Sequence, residues 1–241
     1  MRYAHPVVIV LGAAAAGAAV TLLAPGTGLF APLLLFLAPG FSVSVAGGFA
    51  EVLAVAFGLW AVVLVGRGNW GWGTAALAAA ILTRENAGAI LVGLLLWYGL
   101  LRRDRRSPLL FLSLGPVAIW YGFVASRYGH IPILDPYLRV ATDTIATPFL
   151  AVWRSLTESP AGPVVAASIH VALALIAFAL WRKSVLGAIA AAAGLQVISA
   201  GPFSWHFEGE AVRAFTFLQL FLILALIQRF RDQKTAQAVA L

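Results

Sequence analysis

The chain has 241 residues, of which 62% are hydrophobic and 10% charged, with a mean hydropathy of +0.95. That balance excludes a soluble domain folded around one core and points to a polytopic membrane protein. The absence of cysteine excludes disulfides and thiol-ligated metals. The net charge of +7 is read through its distribution among the loops, so no nucleic-acid partner is expected.

Apolar runs predict an all-α bundle of about nine transmembrane helices, near 6–24, 29–46, 49–66, 70–82, 87–101, 108–124, 163–181, 185–200 and 212–228. Pro, Gly and charged residues punctuate them, as in "PGTG" at 25–28, "GRGN" at 66–69, "LRRDRRSP" at 101–108 and "WRKS" at 181–184. Residues 125–162 form the one long stretch, expected as an extracytoplasmic loop, and 229–241 a short frayed cytoplasmic tail near anionic lipid. The whole of 1–241 is then a single integral membrane domain.

If the helices alternate, Arg67, the cluster Arg102, Arg103, Arg105 and Arg106, then Arg182, Lys183, Arg229, Arg231 and Lys234 share one side, which the positive-inside rule makes cytoplasmic. Seven of the nine acids, Glu51, Glu85, Asp135, Asp143, Glu158, Glu208 and Glu210, fall on the other. This sorting predicts an outside N-terminus and a cytoplasmic C-terminus in a multi-pass plasma (inner) membrane protein, bacterial by expectation. An outside start is unusual for "MRYAHP", which has no leading hydrophobic segment to carry Arg2 across. The expectation that follows is a chain lacking one leading helix and the outer loop after it.

Between the fourth and fifth runs stands "ILTRENAGAI", residues 81–90. A helix over 70–82 is about 20 Å long at about 1.5 Å per residue, against a hydrocarbon core of about 30 Å. The turn Thr83, Arg84, Glu85, Asn86 should therefore end below the outer surface, where polar backbone needs protein or a water-filled cavity around it. Glu51 sits early in the 49–66 run, "GPFSWHFEGEAVRAF" brings His206, Glu208, Glu210 and Arg213 to the outer end of the last run, and the long loop adds Asp135. Arginines and carboxylates around one recess suit a phosphate headgroup and a hydroxyl-rich acceptor. The plainer alternatives are a structural ion pair or helix cap for Arg84 with Glu85, and a solvated loop for His206, Glu208 and Glu210.

No P-loop, HExxH, GxSxG or dinucleotide fingerprint occurs. His170 in "AASIHVALAL" is expected to make an interhelical hydrogen bond rather than to bind metal. The ExE of Glu208 and Glu210 is a weak site for a divalent cation beside phosphate. No inverted pair of broken helices supports a secondary transporter.

The succession "RYAHPVVIV", "LAPGFSVSVAGGFAEVLAVAF", "AALAAAILTRENAGAILVGLLL", a basic loop and "FVASRYGHIPI" resembles the polytopic GT-C glycosyltransferases that use polyprenyl-phosphate-linked sugars, mannosyltransferase-like proteins in particular. The resemblance runs over most of residues 1–135 and more loosely to "EGEAVRAFTFLQLFLIL". It implies transfer of a sugar from a polyprenyl-phosphate donor at the outer membrane face. By motif it puts Arg84 and Glu85 at a Thr-Arg-Glu turn, Glu51 at an early helical Glu, and Arg2 and Tyr3 at the Arg-Tyr start. Glu51, Glu85 and Asp135 are then the catalytic candidates, and Arg84, Arg213, His206, Tyr3 and Arg2 the substrate-binding ones. The resemblance puts the family's catalytic acid in a first outer loop ahead of the Arg-Tyr start, so a truncated form or the C-terminal part of a longer enzyme is expected. A non-catalytic lipid-binding protein and, behind it, a transporter or lipid flippase are the competing classes.

Overall fold

The structure, a computed structural model, describes residues 4–25, 27–129, 161–199 and 215–239, and every regular element among them is helical. Helix α1 runs Ala4–Leu23, α2 Pro39–Gly47, α3 Glu51–Gly66, α4 Trp70–Thr83, α5 Gly88–Leu94, α6 Leu114–Tyr128, α7 Ala161–Leu180, α8 Val185–Ile198 and α9 Thr216–Val239. Among the described residues two helical stretches, Pro6–Leu23 and Ser107–Tyr128, are long and apolar enough to cross a membrane. A bent pair, Phe30–Leu37 with Pro39–Gly47, makes a third if taken as one span. Shorter apolar helices include Glu51–Gly66 and Val185–Ile198.

Several predicted elements change form. The run expected as one helix over 29–46 is broken: a 3₁₀ segment, Gly28–Leu37, meets α2 at 92°. Pro39 explains the break, because it lacks an N–H and drives the preceding Ala38 into extended backbone, at φ −89° and ψ 104°. The 87–101 helix passes from α5 into a π-helix over Leu95–Leu101, and a 3₁₀ turn, Ser107–Ser113, leads into α6. α6 reaches Tyr128, past the limit expected for it near 124, and residues 130–160, most of the stretch expected as a loop, lie outside the described residues. The tail expected to fray is helical to Val239, continuous with the apolar start of α9.

Small residues govern the packing. α1 packs on α3, α3 on α4, α8 on α5, α7 and α9, and α9 on α2. A Cβ at Gly93 would strike the backbone of Ile189 on α8, and one at Gly58 the side chain of Ile90 on α5. Such contacts bring the helix axes close together. The periphery is apolar: Ile119 is 73% exposed, Trp120 53% and Phe123 57%, all on α6.

A buried polar chain ties three elements at the bend. The Gly40 N–H donates to Gln219 Oε1 at 2.9 Å, which turns the Gln219 amide so that its Nε2 lies 2.9 Å from His170 Nε2. The amide donates to the ring nitrogen, leaving the imidazole proton on Nδ1. This is the interhelical hydrogen bond expected of His170, and Gln219 is its unforeseen partner.

The basic loop is folded back on itself. Arg103, at φ 53°, lets the Asp104 N–H reach the Tyr98 carbonyl at 2.7 Å. Arg106 donates to both Asp104 carboxylate oxygens, at 3.2 and 3.1 Å, and holds that carboxyl below its usual range. A depressed folded value means that the pair stabilises the loop above the ordinary aspartate range and that this is lost as pH falls through the lower one. An NMR titration of the Asp104 carboxyl should show a midpoint below the ordinary value, returned upward by Arg106→Gln. For packing, Gly93→Ala should destabilise by about 1–3 kcal/mol in thermal unfolding, whereas Gly71→Ala, where the added Cβ meets nothing within 4 Å, should be neutral or stabilising.

Candidate functional site

α3 and α4 form an antiparallel hairpin closed by Arg67, Gly68 and Asn69, with Gly68 at φ 80°. Glu51 stands 17 residues before Gly68 and Arg84 stands 16 after it, so the hairpin brings the two to the same end. The Arg84 guanidinium donates through Nη2 to Glu51 Oε1 in a close ion pair. Glu51 is 2% exposed and the Arg84 side chain 34%. The carboxylate is thus the buried anchor, and the guanidinium reaches out from it.

Local backbone sets this geometry. Glu51 opens α3, where the helix dipole favours a negative charge. Arg84 ends α4 in extended conformation, φ −153° and ψ 123°, after its N–H bonds the Ala80 carbonyl at 2.9 Å. Glu85–Ala87 then form a single 3₁₀ turn that starts α5. The hydroxyl of Thr83 folds back to the Ala79 carbonyl at 2.7 Å, so it belongs to the helix end rather than to the site.

Neighbours in sequence part company here. Arg84 does not pair with Glu85; Glu85 is exposed and accepts from the Tyr121 hydroxyl of α6 at 3.2 Å. Arg84 Nε is buried without a hydrogen-bond partner among the described residues, and only one terminal nitrogen has a recorded acceptor. A guanidinium carries five donors in a plane. Held on one edge by a carboxylate, it can still present another edge to an anionic oxygen.

The sequence singles out Glu51, Arg84 and Glu85, but the ion pair offered for Arg84 with Glu85 is replaced by one with Glu51, and Tyr121 goes unmarked. Equal spacing about the "GRGN" turn was the available signal for the first; nothing local marks Tyr121. Arg2, Tyr3, Asp135, His206 and Arg213 lie outside the described residues, as do Glu208 and Glu210. The recess expected around the turn depends on those segments. Among the described residues no group of three His, Asp or Glu is placed to hold a metal ion.

Compared with protein-family models, curated proteins and solved structures, the chain matches none.

Removing Arg84 while keeping Glu51 takes the cationic partner from a buried carboxylate, which costs on the order of 3 kcal/mol. Arg84→Leu should therefore lower the thermal midpoint sharply, and adding Glu51→Leu should recover much of the loss. A double variant destabilised by the sum of the Arg84→Leu and Glu51→Leu losses would show that the pair is not coupled.

Proposed function

We propose that the chain is a multi-pass membrane protein of about nine crossings, its N-terminus outside and its C-terminus cytoplasmic. In this reading it transfers a sugar from a polyprenyl-phosphate donor to a lipid, glycan or protein acceptor at the outer face, as GT-C glycosyltransferases do. The observation that carries the reading is the Arg84–Glu51 pair: a cation anchored by a buried carboxylate at the polar end of a short hairpin, with donors left over. The apolar α6 face and the spans Pro6–Leu23 and Ser107–Tyr128 support the membrane setting. The resemblance of "LTRENAG" and its flanks to the family supplies the substrate class.

The pairing of Arg84 and the exposure of Glu85 support the following roles. Arg84 holds the donor phosphate and stabilises the charge that develops on it as the sugar leaves. Glu51 is a positioning residue, because its carboxylate is already taken by Arg84. Glu85 is exposed and oriented by Tyr121, so it is the better base among the described carboxylates. In the step, the acceptor oxygen attacks the anomeric carbon, its proton passes to Glu85, and the sugar–phosphate bond breaks with its electron pair on the phosphate oxygen beside Arg84. Arg2, Tyr3, His206 and Arg213 would complete the donor site, Asp135 is the alternative base, and Glu208 with Glu210 would take a divalent cation if one is used.

A second reading, a non-catalytic lipid-phosphate-binding protein, draws on the same pair, since Arg84 keeps donors beyond the one it gives to Glu51. Sugar transfer from a polyprenyl-phosphate donor, measured with the full chain in membranes, separates the two. Glu85→Gln should lower transfer by about 10²–10⁴-fold with donor binding retained, and Arg84→Ala should weaken both. If amide substitutions at Glu51, Glu85, Asp135, Glu208 and Glu210 all leave transfer unchanged, none of them is the base and the assigned mechanism fails. If the wild-type chain binds donor without transferring sugar, the binding reading replaces it.

A further inference from the structure

A recess of about 390 Å³ opens between the turn joining α7 to α8 and the far part of α9. Lys183 and Arg229 line it, together with Ser184, Gln228, Asp232 and the apolar Leu180. None of these residues belongs to the Arg84 turn.

The charges in the recess are uneven. Asp232 is engaged by Arg231 at 3.6 Å, and Arg231 also donates to the Pro25 carbonyl at 3.2 Å. Arg182 is turned aside, its guanidinium 4.7 Å from the centre of the Trp181 ring. Lys183 and Arg229 make no side-chain ion pair or hydrogen bond among the described residues. Two cations therefore face the space while its one carboxylate is partly neutralised.

The neutral groups add direction. Ser184 Oγ caps α8 by accepting from the Gly187 N–H at 3.1 Å, which leaves its own proton to donate. Gln228 Oε1 is buried and has no hydrogen-bond partner among the described residues. A ligand satisfying all four groups needs anionic oxygens and a hydroxyl. Phe230, beside Arg229, is 63% exposed, an aromatic suited to a membrane interface next to the recess.

We propose that this recess binds the headgroup of an anionic phospholipid of the phosphoglycerol type. Phosphate oxygens accept from Lys183, Arg229 and Ser184, and a glycerol hydroxyl donates to Gln228 Oε1. The volume lies in the range of small-molecule sites, and basic pockets between transmembrane helices are a known setting for such headgroups. A choline headgroup has no hydroxyl to offer Gln228 and brings a cation toward Lys183 and Arg229.

The test is native mass spectrometry of the full chain released from membranes containing equal phosphatidylglycerol and phosphatidylcholine. The wild type should retain phosphatidylglycerol preferentially, and Lys183→Gln and Arg229→Gln should each reduce that retention about fivefold. Asp232→Asn, at a side chain 64% exposed, should raise it, and this variant decides the matter if the others do not fold. Equal retention of the two lipids overturns the proposal, as does an unchanged adduct in the Lys183→Gln, Arg229→Gln double variant or no gain in Asp232→Asn. A thermal shift with soluble glycerol phosphate as large as that with phosphatidylglycerol would assign the site to a free phosphate ester and overturn the lipid reading. None of these outcomes depends on sugar transfer.

Discussion

A guanidinium and a carboxylate at the end of a helical hairpin constrain everything around them, because neither can be left alone in an apolar setting. Glu51 is almost wholly buried, and a buried unpaired charge is far more expensive than the pair it forms. The α3–α4 turn must then close at the residue count that brings Arg84 level with Glu51. α4 must also stop at Thr83, since continuing it would carry the guanidinium around the helix and away from its partner. The extended backbone at Arg84 and the short 3₁₀ turn after it are the local form of that constraint.

The rest of the bundle is arranged by close approach. Where α5 meets α8 at Gly93 and Ile189, and α3 meets α5 at Gly58 and Ile90, the absence of a side chain sets the separation. Larger residues face outward on α6, where apolar surface is exposed along the helix. Arg84 rides on this frame: α3 positions Glu51, α4 delivers the arginine, and α6 supplies Tyr121 to the adjacent Glu85.

Much of the helical order was legible because long apolar runs ending in Gly, Pro or charges leave little alternative. The limits of α1, α3, α4, α7 and the start of α8 fall close to those expected. What periodicity could not convey was the form of helices whose backbone departs from the α pattern. The Pro39 break was readable in principle, since proline disfavours helix at the residue before it, but the uninterrupted apolarity around it suggested one span. The π-helix at Leu95–Leu101 has no proline to announce it. The polar turn was legible as a place where charges needed company. Which company was not, because Arg84 pairs across 33 residues with Glu51 while its immediate neighbour Glu85 turns to α6.

The bend between the 3₁₀ segment and α2 has a consequence in time. The acceptor for the Gly40 N–H comes from Gln219, 179 residues further along the chain. At a synthesis rate of about 5–20 residues per second, that interval is roughly 9–36 s. The second element of the fold therefore enters its surroundings with a backbone donor that water or a temporary partner must satisfy. It is locked only when the helix carrying Gln219 arrives, so a segment made much later closes a joint left open by an earlier one.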